Sequence, residues 1–378
     1  MRIHQRVWTE ASSWSSLRGD HLEDAQLVLA FGGREVLSAP QILDELRRAH
    51  PGAHVLGCST AGEICGPRVR DNSVVATALR FDDTRVHAAR VDLTDYDSSY
   101  RAGSALAAAF DPRGLAHVFV LSDGLRVNGS ELVKGLVERL PPKVGLTGGL
   151  SGDGARFEHT VVALDGPPLE GRIAAVGFYG SRLQVGCGSM GGWDAFGPER
   201  LVTRSRGNVL YELDGRSALA LYTEYLGEHA AGLPASGLLF PLSVRFGDDG
   251  PGIVRTILAV DPVEGTMTFA GDVPEGAYAR LMKANFERLI EGATGAANRC
   301  SESLGASPPD LAILISCVGR KLVLKQRIEE EVEGVRDVLG REATLTGFYS
   351  YGEISPFTPT APCELHNQTM TITTLTER

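Results

Sequence analysis

Three short turns carry the residues that could do chemistry. The first, Gly57-Cys58-Ser59-Thr60-Ala61-Gly62, comes close to the Gly-x-Ser-x-Gly elbow that lifts a nucleophile above a hydrolase sheet, with Ala61 where the second glycine belongs. A nucleophile there would be Ser59 or the Cys58 thiol, and Asp123 and His159 could be drawn as its partners. Glu63 follows directly. "GGLSGDG" and "GFYSYGEISP" repeat the pattern. In each, a glycine ends an apolar run (Gly57, Gly148, Gly347) and a hydroxyl follows (Thr60, Ser151, Ser350). A carboxylate comes next (Glu63, Asp153, Glu353), one residue early in the middle copy. Such glycines and hydroxyls can serve the chain bend itself, or a ligand held at it.

The last turn adds aromatic rings. Alternation along an extended chain predicts Tyr349, Tyr351 and Glu353 on one face, with Phe348, Ser350 and Gly352 on the other. A tyrosine offers an apolar ring with a hydroxyl at its tip, and a carboxylate can pair with an amine. These residues are therefore candidates to line a pocket for a small polar molecule. The competing role for Glu353 is to cap the bend through backbone N–H groups. Just beyond, "CELHNQTMTITTL" sets His366 and Asn367 at the head of an alternating strand, where they either lock the strand end or line the same pocket.

Other signals are weaker. Gly186-Cys-Gly188-Ser-Met-Gly191 spells a dinucleotide fingerprint but runs into Gly192, Trp193 and Pro198, which is loop chemistry and not the helix start that a pyrophosphate needs. His50 and His54 cannot share a helix face across Pro51 and Gly52, and no Cys/His motif has metal spacing, so no metal is expected. Haem needs a single protein ligand. His366 and His159 are the candidates, with His117 and His4 behind them, and there is no CxxCH for covalent attachment.

The elements that must position these residues come in a repeat. "LVLAFGG", "HVFVLSDGL" and "LAILISCVGR" read as buried strands. Amphipathic helices follow: "SAPQILDELRRAH" with a Ser38/Gln41 capping box, "NGSELVKGLVERL" with Ser130 as cap, and "KQRIEEEVEGVRDVLG" ending at Gly340. Each helix leads to a second strand and one of the three turns. A run of breakers from Gly191 to Pro198 marks a boundary. Beyond it come a strand at Leu201–Arg204, a helix near Ala218–Leu226, a hairpin from "GIVRTILAVDP" and "GTMTFAG", and a helix from Tyr278 to Ile290. The class is α/β: mixed sheets covered by helices, built from repeated β-α-β units in two packed halves. A layered α-β-β-α stack and one continuous sheet both fit.

The bulk numbers set limits. At 378 residues the chain exceeds one ordinary core. Its formal net charge of −10 argues against non-specific binding to nucleic acid or an anionic membrane. No run of 18 apolar residues and no signal-peptide core occurs, and six cysteines without paired spacing fit reduced thiols in a cytoplasm.

Taken together, "GCSTAGEI", "LSDGL", "GGLSGDG", "GGW", "GNVLYELDG", "LFPL", "GFYSYGEISP" and "LHNQT" resemble the FIST family (F-box and intracellular signal transduction) across nearly the whole chain. The resemblance implies an N-terminal module over 24–216 and a C-terminal one over 217–364, with 365–378 as its final strand. It implies a sensory protein that binds a small molecule, amino acids being the usual proposal, and signals without catalysis. Bacterial members accompany histidine kinases or cyclic-dinucleotide enzymes, and one similar branch is a haem-binding nitric-oxide sensor. On that reading the ligand residues are Ser59, Thr60, Glu63, Asp123, Ser151, Asp153, Tyr349, Tyr351, Glu353, His366 and Asn367. A hydrolase using Ser59 or Cys58 is the remaining alternative.

Overall fold

The computed structural model describes residues 1–247, 252–304, 308–357 and 361–378. Each repeat forms from an apolar lead strand, a helix and a parallel return strand. The lead strand Leu27–Gly32 pairs with His54–Ser59 across helix Pro40–Ala49. Leu115–Ser122 pairs with Gly145–Leu150 across Gly129–Arg139. Leu311–Cys317 pairs with Thr344–Ser350 across Ile328–Leu339. A closing strand then lies antiparallel to each lead strand: Val74–Arg80, Arg172–Tyr179 and Met370–Glu377. Helices on one side and a shared core on the other explain why Leu27–Gly32 and Leu311–Cys317 are buried at every residue.

The registers of the three repeats coincide. Gly32 faces Ser59 and Val74, Ser122 faces Leu150 and Ile173, and Ser316 faces Tyr349 and Met370. Ser59, Leu150 and Tyr349 are therefore equivalent positions. Two residues earlier the return strand runs so close to the lead strand that a side chain has no room. A Cβ on Gly57 would lie 2.6 Å from the Ala30 carbonyl oxygen, on Gly148 1.9 Å from that of Val120, and on Gly347 1.8 Å from that of Leu314.

The short strand after each turn leaves its own repeat. Glu63–Cys65 pairs with the return strand of the last repeat, Val162–Leu164 with that of the first, and Gly352–Pro356 with that of the middle one. Three six-stranded sheets are thereby joined in a ring. Their inner faces share one core, which includes Leu29, Phe31, Phe119, Leu121, Ile313 and Phe348. Phe31 and Phe348, from different repeats, meet at 4.8 Å between ring centres, a contact worth about 0.5–1.5 kcal/mol beyond the area it buries. Outer faces take the helices, as where Ile42, Leu43 and Leu46 cover Val28 and Ala30. The fold is α/β with repeated β-α-β units and mixed sheets. Its symmetry is three-fold, and three sheets around a common core replace the two-layer stack.

Residues 193–284 form an antiparallel module of eight strands with helix Ala218–Leu226 and its own core around Tyr222, Met267 and Phe269. It interrupts the last repeat between strand Leu183–Met190, which borders Met370–Glu377, and the long helix Phe286–Leu304. The hairpin forms from Ile257–Asp261 and Thr266–Phe269. The expected helix from Tyr278 is a strand, Tyr278–Ala284, in which Ala279 and Leu281 are buried and alternate with more exposed neighbours. Leu311–Cys317 stops short of Arg320, which lies on helix Val318–Leu324. Ser38 caps no helix: Ala39 precedes Pro40 without a side-chain bond. Asn128, not Ser130, caps the middle helix by accepting from Glu131 N–H, while Ser130 accepts from Asp272 N–H in the inserted module.

Candidate functional site at the junction of three turns

The exchange of strands brings the three turns together. Ala61 N–H donates to the Tyr349 carbonyl at 2.8 Å, Gly152 N–H to that of Ser59 at 2.9 Å, and Tyr351 N–H to that of Leu150 at 3.3 Å. By the register, these are one bond made three times.

Two turns are locked by buried carboxyls in the same way. Glu63 accepts from Thr60 Oγ1 at 2.5 Å and from Ser73 N and Oγ at 3.1 and 2.6 Å. Glu353 accepts from Ser350 Oγ at 2.5 Å and from Thr369 N and Oγ1 at 3.2 and 3.0 Å. Ser73 and Thr369 each immediately precede a closing strand, so each carboxyl ties its bend to the strand that follows. Among the described residues no cation pairs directly with either. Burial pushes Glu63 up to about 7 and Glu353 up to about 8, against the downward pull of the hydroxyl and amide donors. In the middle repeat Gly154 takes the corresponding place. Asp153, one residue early, is fully buried and forms ion pairs with Arg34 at 3.1 Å and with Arg156, while also accepting from His159 N–H at 3.3 Å.

Tyr349, Tyr351 and Glu353 are all buried but do not share one face, because the chain crosses from one sheet to another between Ser350 and Gly352 and the alternation restarts. Ser350 and Glu353, expected on opposite faces, bond each other. The Tyr349 hydroxyl donates to Glu331 Oε1 at 2.8 Å. Glu331 also accepts from Ser316 and takes two bonds from Arg320, at 3.0 and 2.8 Å, within a pair that is wholly shielded from solvent. Tyr351 OH donates to the Gly154 carbonyl and accepts from Phe157 N–H, and its ring stacks on Phe157 at 4.3 Å and 12°. Lys321 donates to the Ala61 carbonyl at 2.8 Å, pairs with Asp71 and lies over the Tyr349 ring.

The remaining candidates hold the frame. Ser59 Oγ accepts from Val161 N–H, and Ser151 Oγ donates to the Ser122 carbonyl. Asp123 accepts from the N–H groups of Leu125, Arg126 and Gly171, each at 2.8 Å. His159 Nδ1 bonds Glu170 at 2.8 Å, so its carboxylate partner is Glu170 and not Asp123, and Ser59, His159 and Asp123 form no relay. Burial, and secondarily Glu63, pushes the Cys58 thiol well up, away from a thiolate. His366 Nε2 lies 2.9 Å from the Ser355 carbonyl, and burial lowers it to about 4. His117 bonds Thr147. Asn367 joins the inserted module to the turns, accepting from Thr256 N–H and donating to the Tyr351 carbonyl.

Arg34, Arg156, Arg320, Lys321 and Glu331 escaped the sequence reading. Only Glu331 carried a signal: with Val335 four residues on and Leu339 eight on, it falls on the apolar stripe of its helix, where a carboxylate needs a partner.

Residues 26–216 match the FIST N domain model and residues 218–356 the FIST C domain model. An uncharacterized protein of Methanocaldococcus jannaschii is 24% identical over 322 residues, which cover 78% of this chain and 60% of that protein. The crystal structure of cyanuric acid hydrolase from A. caulinodans aligns over 94% of this chain and 90% of its own, at 9% identity and a TM-score of 0.38, a likeness too slight to carry an argument. No helix among the described residues is long and apolar enough to cross a membrane. With both halves of its sequence matched, the chain belongs to the FIST family, whose domains are sensory and signalling modules found with partners such as histidine kinases.

Proposed function

We propose that this protein is a cytoplasmic sensor that binds a small molecule, an amino acid or a close relative, at the turn junction. It does so without turnover and signals through a separate histidine kinase or cyclic-dinucleotide enzyme. The observation that carries this reading is the 154–159 loop. The other two repeats pass from turn to exchanged strand directly, whereas the middle one inserts this loop and lays it against the junction. Its contacts there are to the candidate residues: Phe157 on Tyr351, and Arg156 and His159 N–H on Asp153. Phe157 holds a left-handed backbone at φ 56°, which costs a bulky residue on the order of 1–2 kcal/mol and favours release of the loop.

Lifting the loop uncovers a matched set of groups. Asp153 loses Arg156 and becomes a partner for an amine, Arg34 becomes a partner for a carboxylate, and the Tyr351 ring offers an apolar face. Glu353, which holds its proton at neutral pH, belongs to the frame together with Glu63, Thr60, Ser59, Ser151 and Asp123. Tyr349 supports it from behind through Glu331.

A thermal-shift screen against amino acids and related metabolites tests this, since a ligand at 100 times its Kd stabilises by about 2.7 kcal/mol. Asp153→Asn should then weaken the ligand found by about 1.5–3 kcal/mol, the range for a charge-assisted bond. Binding that is indifferent to both Asp153→Asn and Tyr351→Leu places the site elsewhere. A Soret band after preparation with haem, or covalent labelling of Cys58 or Ser59 by an activity probe, would replace this reading with a haem-based nitric-oxide sensor or a hydrolase.

A further inference from the structure

Apart from the turn junction, three histidines meet. His4 lies on strand Arg2–Thr9, His21 follows strand Ser13–Arg18, and His50 ends helix Pro40–Ala49. One ring nitrogen from each falls within 4.8 Å of the other two, and the ring centres are 4.9–6.4 Å apart. His4 and His50 are buried and His21 is exposed. No metal spacing shows along the chain because these three residues come from three elements.

Each buried ring is oriented by one nitrogen, which leaves the other free. His50 Nδ1 lies 2.6 Å from the Leu22 carbonyl oxygen, which can only accept, so Nδ1 carries the hydrogen and Nε2 keeps its lone pair. His4 Nε2 lies 3.2 Å from Ser16 Oγ, while His4 Nδ1 is buried with no hydrogen-bond partner among the described residues. A buried nitrogen without a partner is costly, and a backbone carbonyl fixing one side of an imidazole is the usual support of a metal-binding histidine.

We propose that His4, His21 and His50 form a binding site for a divalent transition-metal ion of the zinc class. Ligand nitrogens around tetrahedral zinc stand about 3.4 Å apart, from bonds of about 2.0–2.1 Å. The three atoms must therefore close by about 1.4 Å at most; exposed His21 can move toward the other two, and the buried His4 and His50 rings close any remaining gap between themselves by rotation. Two charges face the cluster. Asp20 favours a cation, and Arg6 opposes one, although its guanidinium is engaged over the Trp14 ring at 4.9 Å and faces Glu45. Three imidazoles suit zinc, cobalt, nickel or copper and disfavour magnesium and calcium. Bound metal would clamp the N-terminal hairpin to the helix end.

The test uses the untagged full chain, stripped with a chelator and titrated with Co²⁺, then with Zn²⁺ against a chromophoric chelator. The site predicts one equivalent per chain, a visible cobalt band that Zn²⁺ displaces, and a Zn²⁺-dependent rise in Tm. His21→Ala changes only an exposed side chain, so it should fold normally, lose the band and weaken Zn²⁺ at least tenfold. His54→Ala, a half-buried histidine outside the cluster that pairs with Asp165, should leave Co²⁺ and Zn²⁺ binding unchanged. Equal stoichiometry and affinity in the wild type and His21→Ala, or no saturable cobalt band, would overturn the proposal.

Discussion

Replacing Glu353 by glutamine should change how stability depends on pH more than stability itself. In the folded chain this carboxyl is fully buried and held at about 8, whereas in the unfolded chain it titrates near 4.5. Between those values the folded state keeps a proton that the unfolded state has released. The sign follows: this contribution is complete below about pH 4.5 and is lost as pH rises toward 8. Each pH unit inside the window is worth about 1.4 kcal/mol. From pH 5.5 to 7.5, wild-type stability should therefore fall relative to Glu353→Gln by about 3 kcal/mol. Buried histidines such as His117 and His366 titrate with the opposite sign, but they are common to both proteins and cancel in the difference. Urea unfolding followed by tryptophan fluorescence at pH 5.5, 6.5 and 7.5 measures it. A wild-type-minus-variant difference that stays flat would show that Glu353 is ionised throughout, and would refute the account of a neutral acid locking the corner.

Three further outcomes are expected. Gly347→Ala places a methyl group 1.8 Å from the Leu314 carbonyl oxygen and should cost about 3 kcal/mol or more in urea unfolding, because backbone cannot step aside as a side chain can. Arg320→Met strands Glu331 in the core and should cost about 3–5 kcal/mol, with much of it recovered in the Arg320→Met/Glu331→Gln double variant. Thiol titration should find all six cysteines once the chain is unfolded, and in the folded protein the half-buried Cys187 should react first, because burial pushes the Cys363 thiol well up and its Sγ donates to the Leu146 carbonyl.

What could be read in advance was local. Lead strands such as Leu27–Gly32 are short unbroken apolar runs, and helices such as Pro40–Ala49 carry an apolar stripe, so both announce themselves over a few residues. The matching turns were visible for the same reason. What stayed hidden depends on partners distant in the chain. Glu63–Cys65 is three residues long, and its place beside Thr346–Phe348 depends on a partner about 280 residues away. The roles of Tyr349 and Tyr351 could not follow from alternation, since the change of sheet between them leaves no mark in residue type. Arg34 reads as a surface charge until Asp153, from another repeat, meets it. In Tyr278–Ala284 the residues Tyr278, Leu281 and Met282 also satisfy a helical stripe, and only its neighbours Trp193–Phe196 and Leu242–Arg245 make it a strand.

The exchange of short strands also bears on how the chain is made. Glu63–Cys65 is synthesised about 280 residues before Thr344–Ser350, its partner, and at roughly 5–20 residues per second the interval is roughly 15–55 seconds. During that time Glu63–Cys65 can pair with Arg68–Arg70 on one side but has no partner on the other. A nascent chain must therefore keep an unmatched edge out of the reach of its neighbours until translation has almost ended. The first two repeats can join early through Val162–Leu164, but the ring closes only with the last repeat, and a ribosome that stalls in the inserted module leaves behind a chain with an open edge, ready to pair with another copy of itself.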